Sequence, residues 1–374
     1  MPPDDLPPLT RPTLYIHIGL PKTGTTSAQV FLTLNRDRLV QHGLYYPQTS
    51  HPLFGSDWQH RFVHASIMEE FQKHDLQLEK YDFKIIDALA EEMLHKSHPK
   101  NLISEENLSW HSQLQSAVLE RFSKWFDVKI IIFLRRQDQW LESYYTQIVR
   151  DGYKEPFAAI FDDIRFTTFE KLNFLELLDI WADRFGAKNL VVKRYKEDGK
   201  DTESLLMEIL GLPTEGWITA PRHLDSPSLF GVRFHKALAR HEKNLNYEAF
   251  FDLFDHALRD CTPGRSAVYF SREERVAFLE LYSDINRKVA SKYGIAMETS
   301  SDLFSFDQNA HPTQSDEINT MTDSELEVIL KRLVENIRIQ NRSSLDIWKA
   351  MVVAASGRVE ERDVVAADLH PLEN

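Results

Sequence analysis

Two glycines, a lysine and three threonines lie close together near the start of the chain. Residues 19–26 read GLPKTGTT and are called the glycine loop below. They follow an apolar stretch, residues 14–18, and precede a helical pattern over residues 27–42. A loop at the start of a helix presents unpaired N–H groups and the positive end of the helix dipole, and both favour phosphate. The pattern therefore predicts a strand–loop–helix unit that binds a phosphate-type anion.

The position of the lysine argues against a nucleoside triphosphatase. Gly19 and Gly24 are spaced as in the GxxxxGK[ST] loop, whose lysine directly after the second glycine serves the β- and γ-phosphates. Thr25 occupies that position here, and Lys22 precedes Gly24 by two residues. A magnesium-dependent triphosphatase is thus disfavoured. Two alternatives stay open: a nucleotide or small-molecule kinase with a related loop, and a non-catalytic nucleotide-binding protein on the same fold.

The loop and the residue after it resemble a known motif. PKTGTTS, residues 21–27, is similar to the phosphosulfate-binding loop of the sulfotransferases, which use 3′-phosphoadenosine 5′-phosphosulfate (PAPS) as sulfuryl donor. The resemblance implies a PAPS-dependent sulfotransferase of the bacterial type, with PAPS as co-substrate and no metal. It implies that Lys22 contacts the bridging oxygen of the phosphosulfate. The nucleotide-binding residues that it implies in the loop are Pro21, Lys22, Thr23, Gly24, Thr25, Thr26 and Ser27.

PAPS carries a second phosphate, on the ribose 3′ oxygen, so its binding requires a second anion site. The apolar run 129–134 ends in Arg135 and Arg136, and Ser143 follows Arg135 by eight residues. Arginine offers a planar fork of donors that matches phosphate, and a serine hydroxyl adds one more. Arg135 and Ser143 also match the spacing of the 3′-phosphate site in the family. The alternative is that the two arginines only pair with surface carboxylates.

Two further segments resemble the family more weakly. RYKED, residues 194–198, is similar to a YED-like string, which implies that Tyr195 lies near the adenine, although Lys196 interrupts the pattern. CTPGR, residues 261–265, is similar to a late basic loop that closes over the nucleotide. This similarity implies that Gly264 and Arg265 bind the nucleotide, with Arg265 at the 3′-phosphate.

Sulfuryl transfer requires that the acceptor hydroxyl or amine loses a proton, which a positioned carboxylate can take. Glu105 and Glu106 directly follow the apolar segment 101–104. The string SEEN, residues 104–107, resembles strand ends at which family members place a catalytic residue. It implies Glu106 as the general base, with Glu105 as the second choice. Adjacent carboxylates on a loop also occur as solvated charges or at a helix N-terminus.

The histidines and the single cysteine give little support for metal or disulfide chemistry. His60 and His64 lie four residues apart in a helical pattern, which suits a metal but is also common on polar surface. Cys261 is the only cysteine, so neither an internal disulfide nor a thiolate zinc cluster can form. We expect no metal site.

The composition restricts the partners. The net charge of −13 argues against nucleic acid and anionic membranes. The longest apolar run is 350–355, far short of the ~18 residues of a membrane span, and the N-terminus shows no signal-peptide pattern. We therefore expect a cytoplasmic protein that binds neither nucleic acid nor membrane. The resemblance to the sulfotransferases implies a small-molecule or carbohydrate acceptor as its partner.

Apolar segments alternate with helical patterns, which predicts an α/β fold with a doubly wound, mainly parallel sheet. Ligands of such sheets bind beyond the carboxyl ends of the strands, where the glycine loop falls. The predicted strands are 14–18, 101–104, 129–134 and 189–193. The predicted helices are 27–42, 84–95, 114–126, 138–151, 168–185, 202–211, 230–256 and 272–293.

These patterns and the resemblance divide the chain into three expected segments. Residues 1–13 are rich in proline and are expected to form a disordered tail. Residues 14–300 are expected to form the sulfotransferase α/β domain. Residues 301–374 carry 14 acidic and 7 basic side chains and are expected to form an acidic, mostly helical extension. This extension is either a contact of a homo-oligomer or a cover over the core.

Overall fold

Five strands form one parallel sheet, with β1 at its centre. The strands are β1 (Thr13–His17), β2 (Leu44–Tyr45), β3 (Lys100–Ser104), β4 (Asp127–Leu134) and β5 (Leu190–Arg194). Their order is β2-β3-β1-β4-β5, and every neighbouring pair is parallel. The structure, a computed structural model, describes residues 11–48, 60–73, 77–153, 155–161, 172–219, 232, 268–298 and 303–304.

Helices connect and flank these strands. They are α1 (Thr25–Leu34), α2 (Arg36–Gln41), α3 (Arg61–Lys73), α4 (Lys84–Lys96), α5 (Ser112–Leu119), α6 (Gln137–Arg150), α7 (Phe174–Phe185), α8 (Thr202–Leu210) and α9 (Arg272–Tyr293). Short 3-10 helices add single turns, among them Glu106–Ser109 and Glu120–Lys124. Within the described ranges, no helix is both long and apolar enough to cross a lipid bilayer.

The side chains of β4 show that the sheet is covered on both faces. Ile130, Ile132 and Leu134 pack into one core cluster, which includes residues of α3, α4, α5 and α7. Ile131 and Phe133 point to the other face and pack with α1, α2 and α8. All five side chains are fully buried. This alternation within a continuous apolar run is typical of a parallel strand between two helical layers.

The predicted fold class is confirmed: the described chain is a doubly wound α/β fold with a parallel sheet. The glycine loop lies, as predicted, between a strand, β1, and a helix, α1. The predicted helix 230–256 and extension 301–374 lie outside the described residues, apart from residues 232, 303 and 304. Of the predicted tail, only residues 11–13 are described, and the predicted domain limits stay a prediction.

The helix predicted over residues 27–42 is broken at Asn35. Its side-chain amide donates to the carbonyl of Phe31 at 2.8 Å and to that of Ile218 at 2.9 Å, and its Oδ1 accepts from the N–H of Ile218 at 2.9 Å. An asparagine that bonds to backbone groups in this way competes with the helix. The contact with a remote segment therefore separates α1 from α2.

The chain divides into two units. The first comprises Met1–Trp140, Thr168–His223 and Leu279–Phe306 and contains the whole sheet; the second comprises Leu141–Thr167, Leu224–Phe278 and Asp307–Asn374. The second unit has its own packing, built on an aromatic cluster. Its ring centroids lie 4.7 to 5.2 Å apart, and its members are Tyr145, Phe157, Tyr269 and Phe270.

Candidate functional site

The glycine loop follows the carboxyl end of the central strand, and three of its residues have a left-handed backbone conformation. The φ angles are +60° at Gly19, +70° at Lys22 and +79° at Gly24. Glycine adopts such angles freely, whereas a lysine does so only at an energetic cost. The loop is therefore wound tightly, and Gly24 becomes the residue that precedes the first turn of α1.

Four consecutive backbone carbonyls of the loop are held by side-chain donors. The bonds are Thr23 Oγ1 to Leu20 O (2.7 Å), Trp140 Nε1 to Pro21 O (2.7 Å), Arg135 Nη1 to Lys22 O (2.7 Å) and Thr202 Oγ1 to Thr23 O (2.6 Å). In a planar trans peptide, the N–H points opposite to the preceding carbonyl. The N–H groups of Lys22, Thr23 and Gly24 are thus each directed away from the donor that holds the preceding carbonyl.

The start of α1 adds donors to this arrangement. The first N–H groups of a helix have no partner within the helix, and Gly24 offers no capping side chain. The first turn of α1 contains no acidic residue. The hydroxyl of Thr25 is buried and has no hydrogen-bond partner among the described residues. These donors fit the phosphate group of a nucleotide.

Neighbouring residues leave no room for a side chain at either glycine. A Cβ placed on Gly19 would lie 2.7 Å from the Cα of Glu106, and one placed on Gly24 would lie 2.5 Å from Oγ1 of Thr202. Both distances are far below normal contact. The close approach also places Glu106, predicted as the base, directly beside the glycine loop.

The two glutamates that follow β3 differ in environment. Glu105 is 1% exposed, and its carboxylate accepts bonds from the backbone N–H of Asn107 at 2.9 Å and from its side-chain amide at 2.6 Å. It thereby caps the 3-10 helix Glu106–Ser109. Glu106 is half-buried. Of the two carboxylates, Glu106 is therefore the more exposed.

A buried polar network surrounds Ser104, the last residue of β3. Its N–H donates to Nδ1 of His60 at 3.0 Å, its carbonyl accepts from the amide of Gln29 at 2.9 Å, and its hydroxyl lies 2.8 Å from Nδ1 of His17. Because His60 accepts at Nδ1, its proton is on Nε2, which donates to the carbonyl of Pro47 at 3.1 Å. Burial lowers the pKa of both histidines to about 4.

Arg135 links the glycine loop to the end of β5. Besides its bond to Lys22, its guanidinium lies 5.2 Å from the ring centroid of Tyr195. The N–H of Tyr195 donates to the carbonyl of Leu134 at 2.7 Å. Arg136 is instead buried in an ion pair with Asp138 at 2.7 Å. The structure therefore brings Arg135 and Tyr195 to the loop, whereas Arg136 has a structural partner.

The remaining predicted residues of the nucleotide site lie in the second unit of the chain or outside the described residues. Ser143 is half-buried on α6 and belongs to the second unit of the chain. Gly264 and Arg265 lie outside the described residues. In the described ranges, no group of three or more residues could hold a metal. Nδ1 of His60 is occupied, and Nδ1 of His64 lies 2.8 Å from the amide of Gln115, so this pair is engaged in hydrogen bonds.

Sequence reasoning missed several residues that shape the site. Trp140 and Thr202 hold loop carbonyls, and Gln29 and Ser104 organise the end of β3. Trp140 stands within the predicted helix 138–151 and Thr202 at the start of the predicted helix 202–211, but neither belongs to a motif. No local signal could have identified them.

Fold and site together define a class: a doubly wound α/β protein with a glycine loop of the phosphate-binding type at its central strand. No protein-family model matches the chain. An uncharacterised protein of Archaeoglobus fulgidus is 26% identical over 185 residues, which cover 46% of this chain and 48% of that protein. The chain thus matches about half the length of this relative. A sulfotransferase from Alicyclobacillus acidocaldarius, known as a crystal structure, is similar with a TM-score of 0.37 and 17% identity, over 69% of this chain and 98% of that one.

Proposed function

We propose that the chain is a sulfotransferase that uses PAPS as its donor. The observation that carries this proposal is the glycine loop, with Lys22 inside it and four carbonyls held by side-chain donors, beside Arg135 at the end of the adjacent strand. Two cationic groups thus lie at the carboxyl edge of one sheet, at residues 22 and 135. A nucleotide with an anionic group at each end matches this pattern better than one with a single chain of phosphates.

The position of Lys22 supports PAPS over ATP. A lysine after the second glycine would serve the β- and γ-phosphates, and Thr25 stands there instead. The buried hydroxyl of Thr25 supports a role for this residue as a donor to the 5′-phosphate. Arg135, at the end of β4, is the group that we propose contacts the 3′-phosphate, because a guanidinium presents a planar fork of donors that matches phosphate.

The proposed reaction is an in-line displacement. The acceptor oxygen or nitrogen attacks sulfur, the bond from sulfur to the bridging oxygen breaks, and adenosine 3′,5′-bisphosphate leaves with the electron pair. Lys22 and the loop N–H groups stabilise the charge that develops on the leaving group. Glu106 takes the proton from the acceptor. Glu106 lies directly beside the glycine loop and is more exposed than Glu105, which supports Glu106 as the base.

The acceptor in this proposal is a hydroxyl or an amine on a small molecule or carbohydrate. Positioning the acceptor against the sulfur contributes to the rate independently of the acid–base chemistry. No metal enters any step of the proposed reaction, since Lys22 supplies the positive charge.

Isothermal titration calorimetry without magnesium tests the donor. Adenosine 3′,5′-bisphosphate is expected to bind at least about tenfold more tightly than AMP or ADP, since the 3′-phosphate adds a charge-assisted contact. Equal affinity for adenosine 3′,5′-bisphosphate and AMP would contradict the proposal. Binding of ATP that requires magnesium, with no preference for the 3′-phosphate, would favour a kinase instead.

A further inference from the structure

Thr202, the first residue of α8, contacts the glycine loop from a remote part of the chain. Its hydroxyl donates to the carbonyl of Thr23 at 2.6 Å, across 179 residues of sequence. The side chain is 2% exposed. An O–H···O bond of this length is at the short end of the usual range. The bond is therefore well formed and shielded from water.

Thr202 also determines which residue can follow Thr23. A Cβ on Gly24 would lie 2.5 Å from Oγ1 and 3.3 Å from Cβ of Thr202. Gly24 is left-handed as well, with φ at +79°. The hydroxyl thus occupies the space that a side chain would fill, and α8 lies directly against the peptide between Thr23 and Gly24.

This peptide decides what the loop presents to an anion. While its carbonyl is bonded to Thr202, its N–H points the opposite way, together with the first N–H groups of α1. Without the hydroxyl, the buried carbonyl of Thr23 would lack a partner, and rotation of the peptide would relieve that cost. Rotation would bring a carbonyl oxygen where the N–H of Gly24 had been, and an oxygen repels phosphate.

Through the hydroxyl of Thr202, α8 contributes a hydrogen bond to the glycine loop. The carboxylate of Asp201 already caps α8, because it accepts from the N–H of Ser204 at 2.9 Å. The hydroxyl of Thr202 is therefore not needed as the cap of α8, and it bonds to the loop instead. A serine could make the same bond, whereas valine would keep the shape and lose the donor.

We propose that Thr202 is a positioning residue for phosphate binding, acting through the carbonyl of Thr23. The inference deepens the proposed function, because it concerns the loop that would hold the 5′-phosphate of PAPS. It requires only that the loop binds a phosphate, so it can be tested separately from the choice of donor. No motif assigns this role to Thr202.

The test compares the affinities for AMP and adenosine, measured by calorimetry in wild type and in three variants. Their ratio reports the contribution of the 5′-phosphate. Thr202→Val is expected to lower the ratio about tenfold, and Thr202→Ser to keep it within about twofold. Thr33→Val is the matched control, because the hydroxyl of Thr33 on α1 is buried without a partner among the described residues. This variant should behave as wild type.

The experiment distinguishes a failure of the role proposed for Thr202 from a failure of PAPS as the proposed donor. An unchanged ratio in Thr202→Val, or a loss that Thr202→Ser shares, would overturn the role of Thr202. A wild-type protein that binds AMP no better than adenosine would overturn it as well. A wild type that prefers AMP over adenosine, but not the bisphosphate over AMP, would contradict only the donor. Thr202→Ala replaces the valine variant if thermal melts show that the latter does not fold.

Discussion

Lys22 combines two features that are unusual for a lysine near the protein surface. Its backbone is left-handed, which costs a residue with a side chain roughly 1–2 kcal/mol. Its carbonyl is held by Arg135 at 2.7 Å, so the conformation is fixed from outside the loop. A strained residue that its surroundings hold in place is typical of a functional position. The strain therefore supports the role of Lys22 in the proposed reaction.

Replacing Lys22 by alanine is expected to reduce sulfuryl transfer by about 10²- to 10³-fold, because the leaving group loses its main electrostatic stabilisation. The fold should survive, since alanine removes no backbone contact of the loop. Turnover of PAPS with a panel of phenols and sugars, together with a thermal melt, measures both effects. Lys80→Ala, at an exposed lysine in a 3-10 helix, is the control. Wild-type turnover in Lys22→Ala would exclude Lys22 from the mechanism.

The residues proposed to bind the nucleotide carry more signal in the sequence than the residues that hold the glycine loop in place. Lys22 and Arg135 belong to short motifs, and each motif carries its own signal within about ten residues. Trp140 and Thr202 contact the loop from 119 and 179 residues away. Such contacts arise only when the sheet brings remote segments together, and no hydrophobic period encodes them. The position of the glycine loop between β1 and α1 was therefore predictable, while the side chains that hold its carbonyls were not.

At the scale of elements, the strands with a long apolar pattern could be predicted from the sequence. A very short strand, and a helix boundary that depends on a remote contact, could not. β4 was recognisable because its β-branched run is long and buried on both faces. β2 has two residues, too few to produce a pattern. The break between α1 and α2 depends on the bonds of Asn35 to Ile218, a partner far along the chain. Element boundaries thus depend on tertiary contacts that local patterns do not contain.

In the second unit, one carboxylate organises the start of α9. Glu142 on α6 accepts from the N–H of Tyr269 at 2.8 Å, from that of Phe270 at 3.2 Å and from Arg275 at 2.7 Å. Both charged side chains are buried. Removing one charge of a buried pair leaves the other uncompensated, which is far more costly than losing an exposed pair.

Glu142→Gln is therefore expected to lower the free energy of unfolding by about 3–5 kcal/mol. The matched control is Glu120→Gln, which breaks a more exposed pair with Arg184 at 3.1 Å and should cost less than about 1 kcal/mol. Urea unfolding followed by circular dichroism measures both values. Equal losses in the two variants would show that Glu142 does not hold α9 in this way.

At the scale of the whole molecule, several histidines are neutral because they are buried, as His17 and His60 are, or half-buried, as His64 is. Burial lowers the pKa of His17, His60 and His64 to about 4, and the nearby His111 adds to the shift at His64. In the unfolded chain these side chains bind protons near pH 6.5. Between these two values the unfolded chain binds more protons than the folded protein, so acid favours unfolding.

The free energy of unfolding is accordingly expected to fall as the pH drops from about 6.5 towards 4, by up to about 4 kcal/mol per pH unit when three protons are involved. Urea unfolding at pH 7, 6 and 5 measures the slope. His60→Gln can still accept from Ser104 and donate to the carbonyl of Pro47, so it should reduce the slope by about one proton. A slope that is the same in wild type and His60→Gln would refute the assignment of a neutral, buried His60. The reason is that His60 is the one titrating group that this substitution removes.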